Sequence, residues 1–444
     1  MTDHSPRIWF DQFTKGLIIE RPHPSLDDCL GGMGIEPDRR DSPPKNEDEL
    51  IVWLQEGGHN IIFKRSRVRI TERVVQATPN LFAVQLCCIG DDSVDKEACA
   101  RAGVLVFNDP VSNGRSVAEM VLGEMICMGR RIFEAADETH RHQWEKSQHG
   151  RFELQGKTLS VIGLGRIGKQ VAQLCEAFGM KIAFFDNREV AQEVGETLGW
   201  HRAATLQEAF EIGHVVTLHV SAEDYRGRAN DNFIDLACLM SMGTKTEVDG
   251  PKLFINAARG VIYRAEDLVQ AVKEGPIDYA MVDVFPREPK APGEPWVNPY
   301  AEVPQIYATP HIGAATQEAQ PRIARYVSNN VRAFNRHGAL RDCVYSPRYS
   351  IEAPDGSRPE HILTVVHSDV RGTKKALDAA IYDAGLSNLS SVHRDFPRYG
   401  IAYDLSVLDG PLSAEQIKAL ADRVASETGD PTAIRSVRMI GVPE

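Results

Sequence analysis

Short apolar runs alternate with amphipathic stretches along the first hundred residues, which predicts strands alternating with helices in a parallel sheet. The predicted strands are 16–20, 60–63, 82–87 and 104–107, with a helix at 47–56 and an irregular or loosely helical stretch at 22–46. Ligands of such sheets bind at the carboxyl ends of the strands. The residues that follow each strand are therefore the first candidates for a functional site.

Two amphipathic helices bracket a second series of strands. The first helix is predicted to have Ser116 as its N-cap, with Glu119 completing a capping box, and to run past Arg131. The second is predicted at 317–334. The strands between them are predicted to begin at 159, 181, 215, 253, 279 and 305. The polar stretch 221–249 has no assigned structure.

The last hundred residues follow a different order. A stretch containing three prolines, 342–359, predicts a linker, and the apolar pattern after it indicates strand, helix, two strands, helix and strand. These elements are predicted at 361–367, 374–384, 389–393, 401–408, 414–425 and 434–440. A βαββαβ order of this length is typical of a ferredoxin-like domain.

The second series opens with a strand that runs into a Gly-x-Gly-x-x-Gly turn, followed by a helix, a strand and an acid. This order is the dinucleotide-binding fingerprint. Gly163 permits the tight turn, Gly165 leaves room for a pyrophosphate, and Gly168 lets the helix pack against the strand. The helix N-terminus, at Arg166 and Ile167, would offer free N–H groups to the phosphates. The alternative is a glycine turn that only joins a strand to a helix.

The acid of the fingerprint is Asp186, at the end of the second strand of this series. Its carboxylate would accept hydrogen bonds from the adenosine ribose hydroxyls and would repel a 2′-phosphate. NAD is therefore predicted as the cofactor in preference to NADP. Arg188, two residues later, is a cation that works against this preference.

Composition narrows the classes of function. The chain has 444 residues, 42% of them hydrophobic, and a formal charge of −12, which argues against general binding to nucleic acid or a membrane surface. Its eight cysteines form no C-x-x-C pair and are interpreted as reduced. No pattern of metal ligands stands out, so no metal is expected. The N-terminal residues lack an apolar signal region, and no run of about 18 apolar residues occurs, so a cytoplasmic location is expected.

A second group of candidates follows the later strands, namely Arg259, Glu288 and His311. Hydride transfer at an alcohol carbon needs a group that exchanges the hydroxyl proton, and histidine suits that task. A carboxylate on the far imidazole nitrogen fixes the tautomer, and an arginine can hold a substrate carboxylate by two parallel hydrogen bonds. The alternative is a loop histidine with two unrelated surface charges.

Four cations, at positions 64, 65, 67 and 69, follow one of the N-terminal strands. Such a run of cations commonly forms a solvated loop. Because this one lies at the end of a strand, we predict that it binds an anion.

These motifs resemble those of the D-isomer-specific 2-hydroxyacid dehydrogenases, and within that family most closely the D-3-phosphoglycerate dehydrogenases, over about residues 17–335. The matching segments are 113–119, 161–168, 256–260, 282–289 and 310–316. The resemblance implies that Arg259 binds substrate, that His311 is the acid/base with Glu288 as its partner, and that Asp283 lies near the nicotinamide carboxamide. It further assigns His219, Ala257 and Gly313 to the cofactor site.

The resemblance also implies the domain organisation. A flavodoxin-like substrate-binding domain would comprise 1–114 and 309–341, with a Rossmann-type NAD-binding domain at 115–308 inserted in it. A linker at 342–360 and an ACT-like regulatory or assembly domain at 361–444 would follow. Proteins of this family act as homo-oligomers, so a dimer or tetramer is expected.

The resemblance adds candidate contacts for a substrate phosphate. Arg65, Ser66 and Arg67 resemble the basic strand end of the phosphoglycerate branch, and Lys146 resembles a lysine supplied by a neighbouring subunit. Asn113 and Gly90 are further candidate substrate contacts. The sequence departs from the family at Ile89-Gly90-Asp91-Asp92, where Gly-Thr-Asn is usual, because two carboxylates near an anionic substrate would repel it unless they turn away.

The effector loop of ACT modules usually reads His-x-Asn-x-Pro-Gly, whereas residues 367–372 here read His-Ser-Asp-Val-Arg-Gly. An extra carboxylate would disfavour the carboxylate of an amino-acid effector such as serine, and a purely assembling role is therefore favoured.

The leading hypothesis is NAD-dependent oxidation of 3-phospho-D-glycerate to 3-phosphohydroxypyruvate. Two alternatives stay open: a reductase of another 2-oxo acid such as glyoxylate or hydroxypyruvate, and an NAD-sensing regulator on the same fold.

Overall fold

The computed structural model describes residues 5–224, 226–289, 293–346, 350–352 and 361–441. The chain divides into two compact units, Met1–Pro110 with Gln320–Glu444, and Val111–Ala319. Within the described ranges, no helix combines the length and the apolar character needed to cross a bilayer.

The N-terminal part of the first unit carries a five-stranded parallel sheet in the order β3-β2-β4-β5-β6. Counted within the sheet this is 2-1-3-4-5, the flavodoxin-like order, as predicted. The elements are β1 (Arg7–Phe10), β2 (Lys15–Ile18), α1 (Ser25–Gly31), β3 (Glu36–Arg39), α2 (Glu47–Gly57), β4 (Ile61–Lys64), α3 (Glu72–Ala77), β5 (Ala83–Leu86), α4 (Lys96–Arg101) and β6 (Leu105–Phe107).

Two N-terminal strands were not predicted. The stretch 22–46, read as irregular or loosely helical, contains α1 and the edge strand β3, whose sequence Glu-Pro-Asp-Arg lacks the apolar residues that mark a buried strand. The start of the chain, for which no element was predicted, forms β1, which pairs with β17 (Ile434–Gly441). Both are edge strands, and edge strands need only one neighbour and little burial.

The second unit carries a seven-stranded parallel sheet in the order β13-β12-β11-β10-β7-β8-β9. Counted within the sheet this is 7-6-5-4-1-2-3, the Rossmann order with a seventh strand added, and it confirms the predicted nucleotide-binding fold. The elements are α5 (Gly114–Arg130), α6 (Ile132–His140), β7 (Thr158–Ile162), α7 (Arg166–Ala177), β8 (Lys181–Phe185), α8 (Glu189–Thr197), β9 (His201–Arg202), α9 (Leu206–Ile212), β10 (Val215–Leu218), α10 (Leu236–Met240), β11 (Leu253–Asn256), α11 (Ala265–Lys273), β12 (Tyr279–Val282) and β13 (Ile306–Ala308).

The start and end of α5 differ from the prediction. Asn113 occupies the N-cap without a side-chain hydrogen bond, whereas Ser116 lies inside the helix and its hydroxyl pairs with Thr316 at 2.9 Å. The predicted capping box is therefore wrong. The continuous helix past Arg131 is also wrong, because Arg131 has a φ of 53° and separates α5 from α6.

The rest of the first unit comprises α12 (Ala319–His337), β14 (His361–Ser368), α13 (Thr373–Asp383), β15 (Asn388–Phe396), a short 3₁₀ turn (Pro397–Tyr399), β16 (Ile401–Leu408), α14 (Ala414–Thr428) and β17 (Ile434–Gly441). The sheet order is β1-β17-β14-β16-β15. Without β1 this is the ferredoxin-like order, as predicted.

The two faces of the C-terminal sheet pack differently. Leu363 and Val365 of β14 pack against Leu377 of α13 in one hydrophobic cluster. Residues of the opposite face, Ile362 and Tyr403 among them, join the core of the N-terminal sheet. The predicted linker lies partly outside the described residues, and Ile351 in its described part forms an antiparallel bridge with Leu340, which precedes the linker.

Candidate functional site

The turn between β7 and α7 has the geometry that a bound dinucleotide requires. Gly163 has a φ of 94°, and a Cβ there would lie 2.7 Å from the carbonyl oxygen of His219. A Cβ on Gly168 would lie 2.2 Å from the oxygen of Gly163, so only glycine allows this close packing. At Gly165 the space is open, with Arg188 Nη2 at 3.9 Å as the nearest atom. The turn therefore fits a pyrophosphate at the N-terminus of α7.

Asp186, at the end of β8, is buried and fully hydrogen-bonded. One carboxylate oxygen accepts from the backbone and Nε of Arg188 at 2.9 and 3.0 Å, and the other accepts from Arg188 Nη2 at 2.7 Å and from the N–H of Leu164 at 2.9 Å. A carboxylate has about four lone-pair positions. A ribose hydroxyl bound to Asp186 must therefore share a carboxylate oxygen with one of these donors or displace that donor. The Arg188 guanidinium is the side chain that it can displace.

The loop after β13 is held by Asp283, which follows β12. Its carboxylate accepts from the Thr309 hydroxyl at 2.7 Å and from the backbone N–H groups of Ile312 and Gly313 at 2.8 and 2.9 Å. Three bonds to one carboxylate fix the backbone on both sides of His311. Asp283 thus positions the histidine loop, a role that the sequence did not reveal.

His311 and Glu288 form the pair that the sequence predicted. His311 Nδ1 lies 2.8 Å from Glu288 Oε2, and the N–H of Phe285 donates to the other oxygen of Glu288 at 3.2 Å. Burial pushes the pKa of Glu288 upwards, but the hydrogen bond from His311 and the charge of Arg259 hold that pKa below its ordinary value. Glu288 is therefore ionised and can stabilise an imidazolium at His311. His311 has a φ of 56°, which is rare for a residue other than glycine.

Arg259 belongs to a tight loop after β11. Asn256 shapes this loop, since its side chain accepts from the N–H of Ala258 at 3.0 Å and donates to the carbonyl of Arg259 at 3.0 Å. Gly260 packs so closely on Phe285 that a Cβ would lie 1.9 Å from its carbonyl carbon. The Arg259 loop is thus joined directly to the segment that carries Glu288.

The remaining predicted cofactor residues lie at neighbouring strand ends. His219 follows β10, and its Nε2 lies 3.0 Å from the Thr217 hydroxyl. Burial lowers the pKa of His219 to about 3, so its ring is neutral near pH 7. Ala257 follows β11, and Gly313 lies on the Asp283-held loop.

A buried acid in the same unit was missed from the sequence. Glu124 of α5 is 5% exposed, and neither of its carboxylate oxygens has a hydrogen-bond partner among the described residues. Burial first, and the charge of Asp283 second, raise its pKa to about 8. The helical spacing could have indicated it, because Glu124 lies between the buried residues Val121 and Met128 on the same face.

The basic strand end in the first unit is only partly exposed. Lys64 is buried and donates to the Arg65 carbonyl and the Ser93 hydroxyl, both at 2.6 Å, so it is a core residue. Glu20 accepts from the backbone N–H groups of Arg65 and Val68. Ser66 and Arg67 are exposed in the same loop, and Arg65 is half-buried. The loop therefore presents cationic side chains, while two of its backbone N–H groups already donate to Glu20.

The departure at the family's substrate loop is eased by a local ion pair. Asp91, next to Gly90, accepts from Lys96 Nζ at 3.2 Å, and this lysine is nearly buried. One of the two unexpected carboxylates is thus turned towards a cation of its own unit. The repulsion that the sequence suggested is correspondingly smaller.

Asn113 and Lys146 lie in the second unit. Asn113 is buried at the start of α5, and its Oδ1 has no hydrogen-bond partner among the described residues. Lys146 is exposed in an irregular segment beside Trp144, which is 87% exposed.

Comparison with known proteins agrees with this geometry. Residues 122–313 match the family described as D-isomer specific 2-hydroxyacid dehydrogenase, NAD binding domain. The D-3-phosphoglycerate dehydrogenase of Haemophilus influenzae is 31% identical over 91% of this chain and 95% of that protein. The Escherichia coli K12 enzyme of the same name is 32% identical over 84% of this chain and 86% of that protein.

The fold is shared with solved structures as well. A cofactor(NAD+)-bound 3-phosphoglycerate dehydrogenase from Entamoeba histolytica superimposes with a TM-score of 0.59, at 22% identity, over 75% of this chain and 98% of that one.

The chain therefore belongs to the D-isomer specific 2-hydroxyacid dehydrogenases, and it is an NAD-dependent enzyme of that class. The relatives that it matches along most of its length are D-3-phosphoglycerate dehydrogenases.

Proposed function

We propose that the protein oxidises 3-phospho-D-glycerate to 3-phosphohydroxypyruvate with NAD, the first step of serine biosynthesis. The observation that carries the reaction type is the hydrogen-bonded pair of His311 and Glu288 beside Arg259, at the strand ends of the nucleotide-binding sheet. The names of the full-length relatives support the choice of substrate.

The roles of the three side chains follow from their contacts. With Nδ1 of His311 bonded to Glu288, the other ring nitrogen, Nε2, takes the proton of the substrate hydroxyl. The ionised Glu288 then stabilises the imidazolium, and Arg259 binds the substrate carboxylate and orients the reacting carbon. NAD, when bound, accepts the hydride from that carbon. Reduction uses the same groups in reverse, with His311 returning the proton.

A phosphorylated substrate needs additional cations. Arg65 and Arg67 supply them in this proposal, with the Ser66 hydroxyl as a neutral donor. Asn113, Gly90 and the Lys146 side chain of a second subunit are the remaining proposed contacts. The pairing of Asp91 with Lys96 supports this assignment, because it removes one negative charge from the substrate loop.

The same proposal includes the domain organisation and the assembly. The substrate-binding domain comprises 1–114 and 309–341, the NAD-binding domain 115–308, and the ACT-like domain 361–444, with 342–360 between them. A homodimer or homotetramer is proposed, and the exposed Trp144 beside Lys146 supports a contact between subunits, because large exposed aromatic side chains are typical of interfaces.

For the C-terminal domain we favour an assembling role over serine binding. Both ring nitrogens of His367, the histidine that starts the effector-loop motif, already lie within hydrogen-bond distance of protein oxygens. These are the Ser368 carbonyl at 2.7 Å and the Asp404 carboxylate at 2.6 Å. An amino-acid effector would have to displace one of them.

The test is NADH formation by the purified full chain with NAD and a panel of acids. We expect 3-phospho-D-glycerate to be oxidised with a kcat/KM at least about a hundredfold above that for D-glycerate and D-lactate. Equal rates on phosphorylated and unphosphorylated acids would overturn the substrate and favour a general 2-hydroxyacid dehydrogenase. Absence of turnover with every acid would favour the NAD-sensing regulator.

A further inference from the structure

Three potential metal ligands meet on one face of the C-terminal sheet. In the antiparallel register, Asp404 of β16 lies directly opposite His393 of β15, and His367 of β14 lies opposite Ala402, two residues before Asp404. Residues two apart on a strand point to the same side. The sheet thus brings two imidazoles and one carboxylate together from three neighbouring strands.

The distances between these groups are close to those within a metal site. His367 Nε2 and His393 Nδ1 lie 2.6 and 3.1 Å from Asp404 Oδ2, and one ligand atom from each residue lies within 4.8 Å of the others. In a tetrahedral zinc site with bonds of about 2.0–2.1 Å, neighbouring ligand atoms are roughly 3.3 Å apart. A small outward shift of the imidazoles would therefore admit the ion.

Each of the three groups also has a partner on its far side. His367 Nδ1 lies 2.7 Å from the Ser368 carbonyl, His393 Nε2 lies 2.9 Å from Asp395 Oδ1, and Asp404 Oδ1 lies 3.2 Å from Lys374 Nζ. Metal-ligating histidines characteristically donate their outer N–H to a carbonyl or a carboxylate, which turns the other nitrogen towards the ion. Both histidines have this arrangement, which is what distinguishes the cluster from a chance group of polar residues.

The surrounding charges favour a divalent cation. Lys374 contacts both Asp404 and Asp378, and Asp395 contacts His393. With neutral imidazoles, these three carboxylates and one ammonium group carry two more negative than positive charges. A Zn²⁺ ion would neutralise this excess.

We propose that His367, His393 and Asp404 bind one Zn²⁺ ion. Imidazole and carboxylate ligands suit this ion, and three protein ligands leave a fourth position for water. That position faces the side of His393, whose side chain is 31% exposed, whereas His367 and Asp404 are buried. The ion would join the edge strand β15 to β16 and β14. The site is separate from the dehydrogenase chemistry, and the sequence did not indicate it because its ligands come from three different strands.

The test uses the full chain after treatment with a chelator, titrated with ZnCl₂ by calorimetry. We expect one Zn²⁺ per chain and a rise in Tm. His393→Gln, at an exposed edge-strand position that should not disturb folding, should weaken binding by at least about a hundredfold, and Asp395→Asn by about tenfold. His140→Gln, which replaces an exposed histidine of the other unit, is the matched control and should bind as the unchanged protein does.

The free cysteines require a second measurement, since thiolates also bind zinc. X-ray absorption at the zinc edge should show nitrogen and oxygen ligands at about 2.0–2.1 Å without a sulfur shell at about 2.3 Å. A sulfur shell, or equal zinc affinity in His393→Gln and the unchanged protein, would overturn the proposal. Binding of substantially less than one ion per chain would overturn it as well.

Discussion

The strand-end loops of the two parallel sheets differ in how their candidate functional residues are held. In the nucleotide-binding sheet, Glu288 is bonded to His311, and Asp283 fixes the histidine loop on both sides. In the N-terminal sheet, two backbone N–H groups of the cationic loop donate to Glu20, and Arg67 of the same loop is exposed.

This difference separates two functions. The proton-transfer group is assembled inside one unit before any ligand binds, whereas the proposed phosphate contacts are exposed or half-buried side chains. Changes in the first group should therefore lower kcat with every substrate. Changes in the second should alter the choice between substrates.

The largest effect is expected for His311→Asn. Asparagine cannot take the hydroxyl proton, so kcat should fall by about 10²–10⁴-fold while NAD binding, which depends on the glycine turn, is kept. Steady-state kinetics together with a binding titration of NAD would measure both. A variant with unchanged kcat would disprove the acid/base assignment, and lost NAD binding would show that the loop itself had been disturbed.

Arg65→Ala should change substrate choice more than the rate of chemistry. Loss of one charge-assisted contact to phosphate should lower kcat/KM for 3-phospho-D-glycerate by about 10–100-fold, but that for D-glycerate by less than about threefold. Arg69→Ala removes an exposed cation from the same loop and is the matched control. Equal losses of kcat/KM for 3-phospho-D-glycerate in both variants would show that the loop acts through its overall charge and that Arg65 does not contact the phosphate.

Arg188→Ala tests the cofactor preference. Arg188 neutralises Asp186 by a two-pronged ion pair, so its removal should expose the full carboxylate charge and raise the preference for NAD over NADP by roughly tenfold, about 1.4 kcal/mol. The ratio of kcat/KM values with the two cofactors measures this, with Lys169→Ala, which removes an exposed cation of α7, as control. An unchanged ratio would show that Arg188 does not mask the charge of Asp186 in the cofactor site.

Glu124→Gln should change the activity least and should instead alter how stability depends on pH. Because burial raises the folded-state pKa of Glu124 to about 8, above its unfolded value of 4.5, the folded protein binds the extra proton between these values and loses stability as pH rises through them. The loss amounts to about 2 kcal/mol between pH 6 and pH 8.

Glutamine removes this ionisation, so the variant's Tm should fall less than that of the unchanged protein over the same pH interval. Thermal unfolding at both pH values measures it. Glu119→Gln, an exposed substitution on the same helix, should behave as the unchanged protein. An identical pH dependence in Glu124→Gln would show that Glu124 does not titrate in this range.

Local sequence patterns were sufficient to predict most of the strands and helices, but not the edge strands of the sheets. Buried strands such as β7 and β11 are mostly apolar, and the prediction located them within a few residues. The edge strands β1 and β3 lack such runs, and only their neighbours in the sheet make them strands. The end of α5 at Arg131 likewise depends on a backbone angle that no residue type at that position demands.

The sequence alone determined the dinucleotide turn and the order of Arg259, Glu288 and His311, because glycines at fixed spacing and residues after successive strands are local features. Only the tertiary structure decided that Arg188 is hydrogen-bonded to Asp186, that Lys64 belongs to the core, and that Glu124 is buried with no hydrogen-bond partner among the described residues. It also decided that His367, His393 and Asp404 meet. These outcomes depend on which distant residues share a face or a strand end, and on the cost of burying a charge there, neither of which a local pattern contains.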